Sequence, residues 1–99
     1  MRLARIPFVL RLFYPTPSCE ISILEGNTLV IVFSVRVINF NEVDIVCVGG
    51  TLSNFIGNGR DFCVEVITDT TAEIYVPAGV CRSVNEQPNT ESNRLIYNA

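Results

Sequence analysis

The sequence predicts an all-β fold, an antiparallel β-sandwich of about seven strands with Greek-key connections. Three observations predict it. The β-branched and aromatic residues are abundant, turn residues recur about every ten positions, and no segment has the apolar periodicity of a helix of three turns. A chain of 99 residues is close to the commonest size of a single domain, so we expect one core.

The longest apolar alternation in the chain runs from Leu29 to Val37. Its odd positions are uniformly large and apolar. Since successive side chains of a strand point to opposite faces, these odd positions should face the core of a long central strand. After that strand, residues 38–42 form a polar crossing in which we expect Phe40 to plug one end of the core.

Shorter alternating runs, separated by turn residues such as Gly49-Gly50 and Gly57-Asn58-Gly59, predict the remaining strands. We place these strands at residues 19–24, 44–48, 51–55, 61–67, 72–77 and 94–98. The strand at 44–48 is apolar on both faces, which predicts either a central position or a cover provided by a neighbouring module. The predicted core comprises Leu29, Ile31, Phe33, Val37, Ile45, Phe62, Val64, Val66, Ile74 and Val76.

The N-terminal residues 1–17 differ from the rest of the chain in containing three of its seven arginines and three of its five prolines. Their apolar run, residues 6–10, is ended by Arg11, whereas a secretory signal needs a longer run of about 7–15 residues and a small-residue cleavage site. We therefore predict an extended leader over 1–17, with an extra edge strand as the alternative, and a β-sandwich domain over 18–99. The run is also too short for a membrane span.

The charged residues point away from nucleic acid and from the usual nucleophilic catalysis. The net charge is −3, all seven cations are arginine, and histidine and lysine are absent. No basic face is available for a phosphate backbone, and a serine or cysteine nucleophile lacks its common bases. Asp61 and Glu73 could form a carboxylate pair for glycoside hydrolysis, although acidic residues usually face solvent. We predict no enzyme activity, no cofactor and no catalytic or metal site.

Four cysteines, Cys19, Cys47, Cys63 and Cys81, need an explanation. No pair has the spacing of a zinc knuckle, and the chain has no histidine, so zinc is not expected. In an oxidising compartment the four thiols would permit two disulfides in three connectivities. Alternatively, they are free thiols that fill apolar space, as buried cysteines commonly do.

Two further features are candidates for function. Residues 82–93 predict a polar, solvated loop of about a dozen residues, and loops of this length are often functional. Tyr75, Tyr97 and Phe55 would suit a platform for sugar rings, or they cover a sheet face. The platform would make the chain a carbohydrate-binding module of a secreted hydrolase.

Four motifs in order resemble a known family: FSVRVINFNEVDI (33–45), GGTLSNFIGNGRDF (49–62), VPAGV (76–80) and PNT (88–90). Together they resemble the bacterial immunoglobulin-like repeats of large surface and biofilm adhesins, and the resemblance covers residues 18–97. It implies an immunoglobulin-like sandwich, usually found in tandem. Such a domain serves outside the cell or at the cell surface as a spacer or adhesive segment. Its partners are neighbouring repeats or a surface ligand, either protein or glycan.

The chain departs from this family at two kinds of position. Cys47, Cys63 and Cys81 stand where the repeats usually carry Val, Thr or Ala. The late loop of many repeats helps to hold calcium, but the corresponding positions here are Ser83, Glu86 and Gln87. With Asp44 added, they are a thin ligand set for an ion that takes six to eight oxygens, so calcium is not expected.

Overall fold

The computed structural model describes residues 14 to 99, which form an all-β fold of antiparallel sheets. The only helix in this part of the chain is a three-residue 3-10 turn, Glu42–Asp44. The strands are β1 (Cys19–Glu25), β2 (Thr28–Phe33), β3 (Val37–Ile38), β4 (Val46–Val48), β5 (Thr51–Asn58), β6 (Asp61–Ile67), β7 (Thr71–Tyr75), β8 (Arg82–Ser83) and β9 (Leu95–Asn98).

The strands form two main sheets and one short pair. The larger sheet has the order β1-β2-β6-β5, and the smaller sheet has the order β4-β7-β9. The two-residue strands β3 and β8 pair with each other. In the larger sheet Ile31 lies between Ile21 of β1 and Phe62 of β6, and all three side chains are buried. Ala72 and Ile74 of β7 belong to the same hydrophobic cluster, so the inner faces of both main sheets contribute to one core.

The predicted core is confirmed, because all ten of its residues are buried and belong to one hydrophobic cluster. Four more residues complete the buried cluster: Ile21, Phe40, Ala72 and Cys81. The prediction for Phe40 is also confirmed. Its ring packs edge to face against Phe33 and Phe62, with centroid distances of 5.0 and 4.9 Å. Such aromatic pairs stabilise a core beyond the effect of the buried area alone.

The prediction of one long strand from Leu29 to Val37 is wrong, because β2 ends at Phe33. Ser34 donates its N–H to the Ser18 carbonyl (2.8 Å), and Val37 donates to the Gly59 carbonyl (2.9 Å). The chain then continues as β3 and pairs with β8. The apolar alternation continues from β2 into β3, although the backbone changes its hydrogen-bonding partners between them. Alternation reports only which face a side chain occupies, so it does not reveal this change.

The strand predicted at residues 44–48 is shorter and lies at an edge. Asp44 belongs to the 3-10 turn, where its Oδ2 accepts the Asn41 N–H at 2.8 Å. Ile45 faces the core, as predicted, and Cys47 on the same face packs against it. Of the two alternatives predicted for this strand, a central position is wrong, since β4 is the edge strand of the β4-β7-β9 sheet, and Val48 on its outer face is 58% exposed. Cover by a neighbouring module stays a prediction.

The reversal at Gly49-Gly50 carries the chain from the smaller sheet to the larger one. Gly49 has a φ of 95°, and a Cβ at this position would collide with the Thr71 carbonyl oxygen. Thr68 Oγ1 donates to the Gly49 carbonyl at 2.8 Å, so the β4–β5 and β6–β7 connections are tied together. Glycine is needed at position 49 because residues with a side chain rarely adopt this positive φ, and because a Cβ would have no room between the β4–β5 and β6–β7 connections.

The described chain begins and finishes at opposite ends of the sandwich. Cys19 at the start of β1 lies opposite Phe33, and we call this end, which also contains Pro17 and Gly59, the entry end. Asn98 pairs with Thr71 at the start of β7, and we call that end the exit end.

Only the last part of the predicted leader falls within the described residues. Pro17 is buried, and its carbonyl accepts the Thr90 N–H at 2.9 Å. Residues 1–13 lie outside the described part of the chain, so the leader and its edge-strand alternative stay predictions there. None of the helices in residues 14–99 is long and apolar enough to cross a membrane.

Candidate functional site

The entry end is organised by a single buried amide, that of Asn89. Its Oδ1 accepts the N–H groups of Val80 (2.9 Å) and Cys81 (3.0 Å). Its Nδ2 donates to the carbonyls of Pro77 (2.9 Å) and Thr90 (3.0 Å). Both donors and both acceptor positions of the amide are used, so Asn89 joins the VPAGV and PNT motifs into one unit.

Two buried hydroxyls order the rest of this loop. Ser92 Oγ accepts the Val76 N–H and donates to the Asn93 carbonyl, both at 2.8 Å. Ser83 Oγ accepts the N–H groups of Asn85 and Gln87, both at 3.2 Å. The expectation of a solvated loop over residues 82–93 is therefore wrong at its buried positions. Its polar side chains replace the backbone pairing that a regular strand would supply.

The same loop also bonds to the first strand of the opposite sheet. Thr90 bonds to Pro17, and the Asn93 side chain pairs with both backbone groups of Ile21. Asn93 Oδ1 accepts the Ile21 N–H (2.8 Å), and Nδ2 donates to the Ile21 carbonyl (3.0 Å). The two segments run in the same direction. We call these paired segments, residues 17–21 and 90–93, the seam.

A shallow pocket of about 270 Å³ lies beside the seam at the entry end. Arg60 Nε donates to the Phe33 carbonyl at 3.2 Å, and Ser18 donates its N–H to Ser34 Oγ at 2.9 Å, so these polar groups hold backbone. The lining residues are Ser18, Cys19, Glu20, Val32, Phe33, Ser34 and Arg60. The pocket contains one cation and one carboxylate.

The carboxylates considered for hydrolysis are not brought together. Asp61 opposes Val32 on the outer face of the larger sheet, whereas Glu73 opposes Val48 on the outer face of the smaller sheet. The hydrophobic core lies between them, so these two carboxyl groups cannot flank one glycosidic bond.

The residues weighed as calcium ligands are engaged elsewhere. Ser83 holds backbone amides, and Asp44 accepts from Asn41. Glu86 Oε1 lies 3.0 Å from Arg82 Nε, a contact that is an ion pair rather than a directional hydrogen bond. Within residues 14–99, no group of three His, Cys, Asp or Glu side chains is placed to hold a metal ion.

The three aromatic residues weighed as a sugar platform have separate roles. Phe55 stacks on Phe62 with the ring centroids 5.6 Å apart. Tyr97 lies opposite buried Ala72 and packs against the core. Tyr75 faces outward, but the Arg94 guanidinium lies 3.8 Å above its ring. The platform expectation is wrong for this set, and the alternative, that they cover sheet faces, describes Phe55 and Tyr97.

The positions of the cysteines exclude two disulfides. All four are free thiols in the structure. Cys63 lies on the outer face of the larger sheet, opposite Val30, whereas Cys19, Cys47 and Cys81 contact the core. A second disulfide would have to join Cys63 to a thiol on the other side of its sheet, and the bonding distance of sulfur forbids this.

Burial makes two of these thiols weak acids. It raises the pKa of Cys19 from 9.0 to about 11, although a hydrogen bond with Ser92 partly offsets the shift. Burial also raises the pKa of Cys81 from 9.0 to about 12, with further contributions from the charges of Cys19 and Asp44. Both thiols are therefore protonated in the folded protein at neutral pH.

These shifts predict a loss of stability in alkali. Above about pH 9 the thiols of the unfolded chain ionise while those of the folded chain keep their protons, so the unfolded state gains stability. We expect the urea midpoint to be constant below pH 9 and to fall between about pH 9 and pH 12, the range between the pKa of the unfolded thiols and that of folded Cys81. The double variant Cys19→Ala, Cys81→Ala should show a shallower fall. Equal slopes in the two proteins would show that these thiols do not titrate as described.

Comparisons with known proteins found no match to this chain among protein-family models, curated proteins or solved structures.

Proposed function

We propose that this chain is a non-enzymatic immunoglobulin-like module that acts as a spacer or adhesive segment of a cell-surface or secreted protein. The observation that supports this most is the strand order. If the two-residue strands β3 and β8 are set aside, seven strands remain, and their orders by position in the chain are 1-2-5-4 in one sheet and 3-6-7 in the other. Strands ABED and CFG of constant-type immunoglobulin domains have the same order, and this agreement supports the proposal.

The direction of the chain supports a role as a spacer. The described residues join the sandwich at the entry end, where Pro17 bonds to Thr90, and finish at the exit end, where Ala99 bonds to Thr70. Modules connected in series need this arrangement, because a module whose two ends lay together would fold the series back on itself. The length added by each module is then close to the length of the sandwich.

The seam supports a load-bearing role. Tension applied to the two chain ends pulls Pro17 outward from the entry end, and it pulls residues 90–93, through β9, towards the exit end. Because the two segments of the seam run in parallel, their hydrogen bonds are loaded in shear and at the same time. The Asn93 side chain supplies two of these bonds. Bonds that share a load resist separation better than bonds broken one after another.

Exposed apolar side chains at the entry end support contact with a neighbouring module. Val43 in the 3-10 turn is 89% exposed, and Val84 after β8 is 58% exposed. Val43 comes after β3 and Val84 comes after β8, and these two strands pair with each other at the entry end. Single exposed apolar residues are common on protein surfaces, but two beside the point of chain entry are suited to a module junction.

The function can be tested by stretching the protein between reference modules of known unfolding force. The account predicts a single unfolding peak for this module. Asn93→Ala removes two hydrogen bonds of the seam, each contributing roughly 1 kcal/mol, so the unfolding rate at fixed force should rise about 10–30-fold.

Asn85→Ala is the matched control, since it removes an exposed amide from the same loop and no bond of the seam. Extension of the wild-type protein without an unfolding peak would argue against a load-bearing module. Equal effects of the Asn93 and Asn85 variants would argue against the seam as the loaded element.

A further inference from the structure

The four cysteines differ in where they could react. Cys63 is on the outer face of the larger sheet. Cys47 lies on β4 opposite Ile74, and its thiol is bonded to the Gly50 backbone, towards the exit end. Cys19 begins β1 opposite Phe33 at the entry end. Cys81 directly precedes residues 82–93, the late loop, which contacts Pro17 at the same end. Only Cys19 and Cys81 lie both on the core side of the sheets and at the entry end.

A short polar segment connects these two cysteines. Cys81 forms two hydrogen bonds with Asn89: its N–H donates to the side-chain Oδ1, and its carbonyl accepts the backbone N–H of Asn89. Cys19 bonds through its thiol to the Ser92 side chain. Both cysteines contact the same hydrophobic cluster. The charge of Cys19 also acts on the titration of Cys81, as expected of neighbouring thiols.

We propose that Cys19 and Cys81 form one disulfide bond when the chain folds in an oxidising medium, and that Cys47 and Cys63 stay as thiols. The bond would join the start of β1 to the late loop, across the two sheets. It would add a covalent link beside the seam at the entry end. The proposal depends on the placement of the cysteines and not on the proposed function.

The chemistry needs a disulfide reagent such as oxidised glutathione. The thiolate of Cys19, the more exposed of the pair, attacks one sulfur of the reagent, forms a mixed disulfide and releases one glutathione thiolate. The Cys81 thiolate then attacks the Cys19 sulfur of the mixed disulfide and releases the second. Two protein thiols are oxidised, one glutathione disulfide is reduced to two thiols, and the two protein protons go to the released thiolates.

The acidity of the thiols determines when this reaction is fast. The thiolate is the attacking species, and in the folded protein the pKa of Cys19 is about 11. Oxidation of the folded, reduced protein should therefore be slow at neutral pH. In the unfolded chain the thiols have ordinary acidity, so we expect the bond to form during refolding.

The test is to refold the denatured, reduced full chain in a buffer of oxidised and reduced glutathione, and then to denature and alkylate it. We expect two alkylated thiols, at Cys47 and Cys63, and a mass deficit of about 2 Da for the two hydrogens lost. Cleavage after arginine leaves Cys63 and Cys81 in one peptide, residues 61–82, so a second cleavage after Glu65 or Glu73 is needed to assign the linkage.

Two variants make the result decisive. Cys47→Ala, Cys63→Ala should form the disulfide as completely as the wild-type chain, while Cys81→Ala should form no intramolecular disulfide. If Cys81→Ala does not fold, the first variant still decides, because its only possible intramolecular disulfide is the proposed one. Four alkylated thiols in the refolded wild-type protein, or a disulfide that includes Cys47 or Cys63, would overturn the proposal.

Discussion

Replacing Phe33 by alanine should lower the free energy of unfolding by about 3–5 kcal/mol, the usual range for removing a buried aromatic ring. Phe33 is fully buried at the end of β2, and its ring packs edge to face against Phe40 and Phe62. Alanine would leave a cavity in a cluster that also holds Phe55 through Phe40 and Phe62. Urea unfolding at neutral pH measures the change.

Val32→Ala is the control for this experiment. Val32 precedes Phe33 on the same strand, but its side chain points to the outer face and is 39% exposed. Its removal should cost much less than the removal of Phe33. A loss below about 1 kcal/mol for Phe33→Ala would place Phe33 outside the core and would contradict the register of β2.

Replacing Asn89 by alanine should lower the free energy of unfolding by roughly 2–5 kcal/mol, because four backbone groups in partly or fully buried hydrogen bonds would lose their partners. The N–H groups of Val80 and Cys81 and the carbonyls of Pro77 and Thr90 all bond to this amide. The loss concerns the entry end, so hydrogen exchange should also speed up at Val80 and Cys81. Thermal or urea unfolding gives the total effect.

Asn85→Ala, in the same loop, is the control for Asn89→Ala, since the Asn85 side chain is exposed. Its effect should be within about 0.5 kcal/mol of zero. If Asn89→Ala lowered the free energy of unfolding as little as Asn85→Ala, water would be able to replace the Asn89 amide, and the late loop would not depend on Asn89.

The core could be predicted from the sequence because it depends on a local pattern. In β6 the residues Phe62, Val64 and Val66 alternate with polar or small ones, and the strand and its buried face agree with the structure. Ile21 and Ala72 were missed as core residues. Ile21 stands in a strand whose other aliphatic residues, Ile23 and Leu24, are exposed, and alanine is too small to give a clear apolar signal.

The strand pairing could not be predicted in the same way, because it depends on contacts far apart in the chain. Nothing local in the apolar run from Leu29 to Val37 marks its break after Phe33. The break is held by Ser18 and Gly59, which lie distant in sequence. Similarly, two glycines after β4 indicate a reversal, but they do not show whether the next strand joins the same sheet or the opposite one.

The late loop contains a signal that sequence analysis left unused. Asn89 and Ser92 are of the residue types whose short side chains bond to backbone groups, and both lie in a stretch without apolar alternation. Such a stretch, when it connects two strands of one core, needs polar side chains to satisfy its backbone. The partners of each amide still depend on the tertiary fold, as the pairing of Asn93 with Ile21 shows.

The proposed immunoglobulin-like order depends most on the pairing of β4 with β7, in a second sheet that also contains β9. The most direct measurement is a set of cross-strand nuclear Overhauser effects on isotope-labelled protein. The account predicts backbone contacts between Cys47 and Ile74 and between Ile74 and Leu95, the pairs opposed in the smaller sheet. A continuous ladder of contacts between β4 and β5, as in a hairpin at Gly49-Gly50, would contradict it.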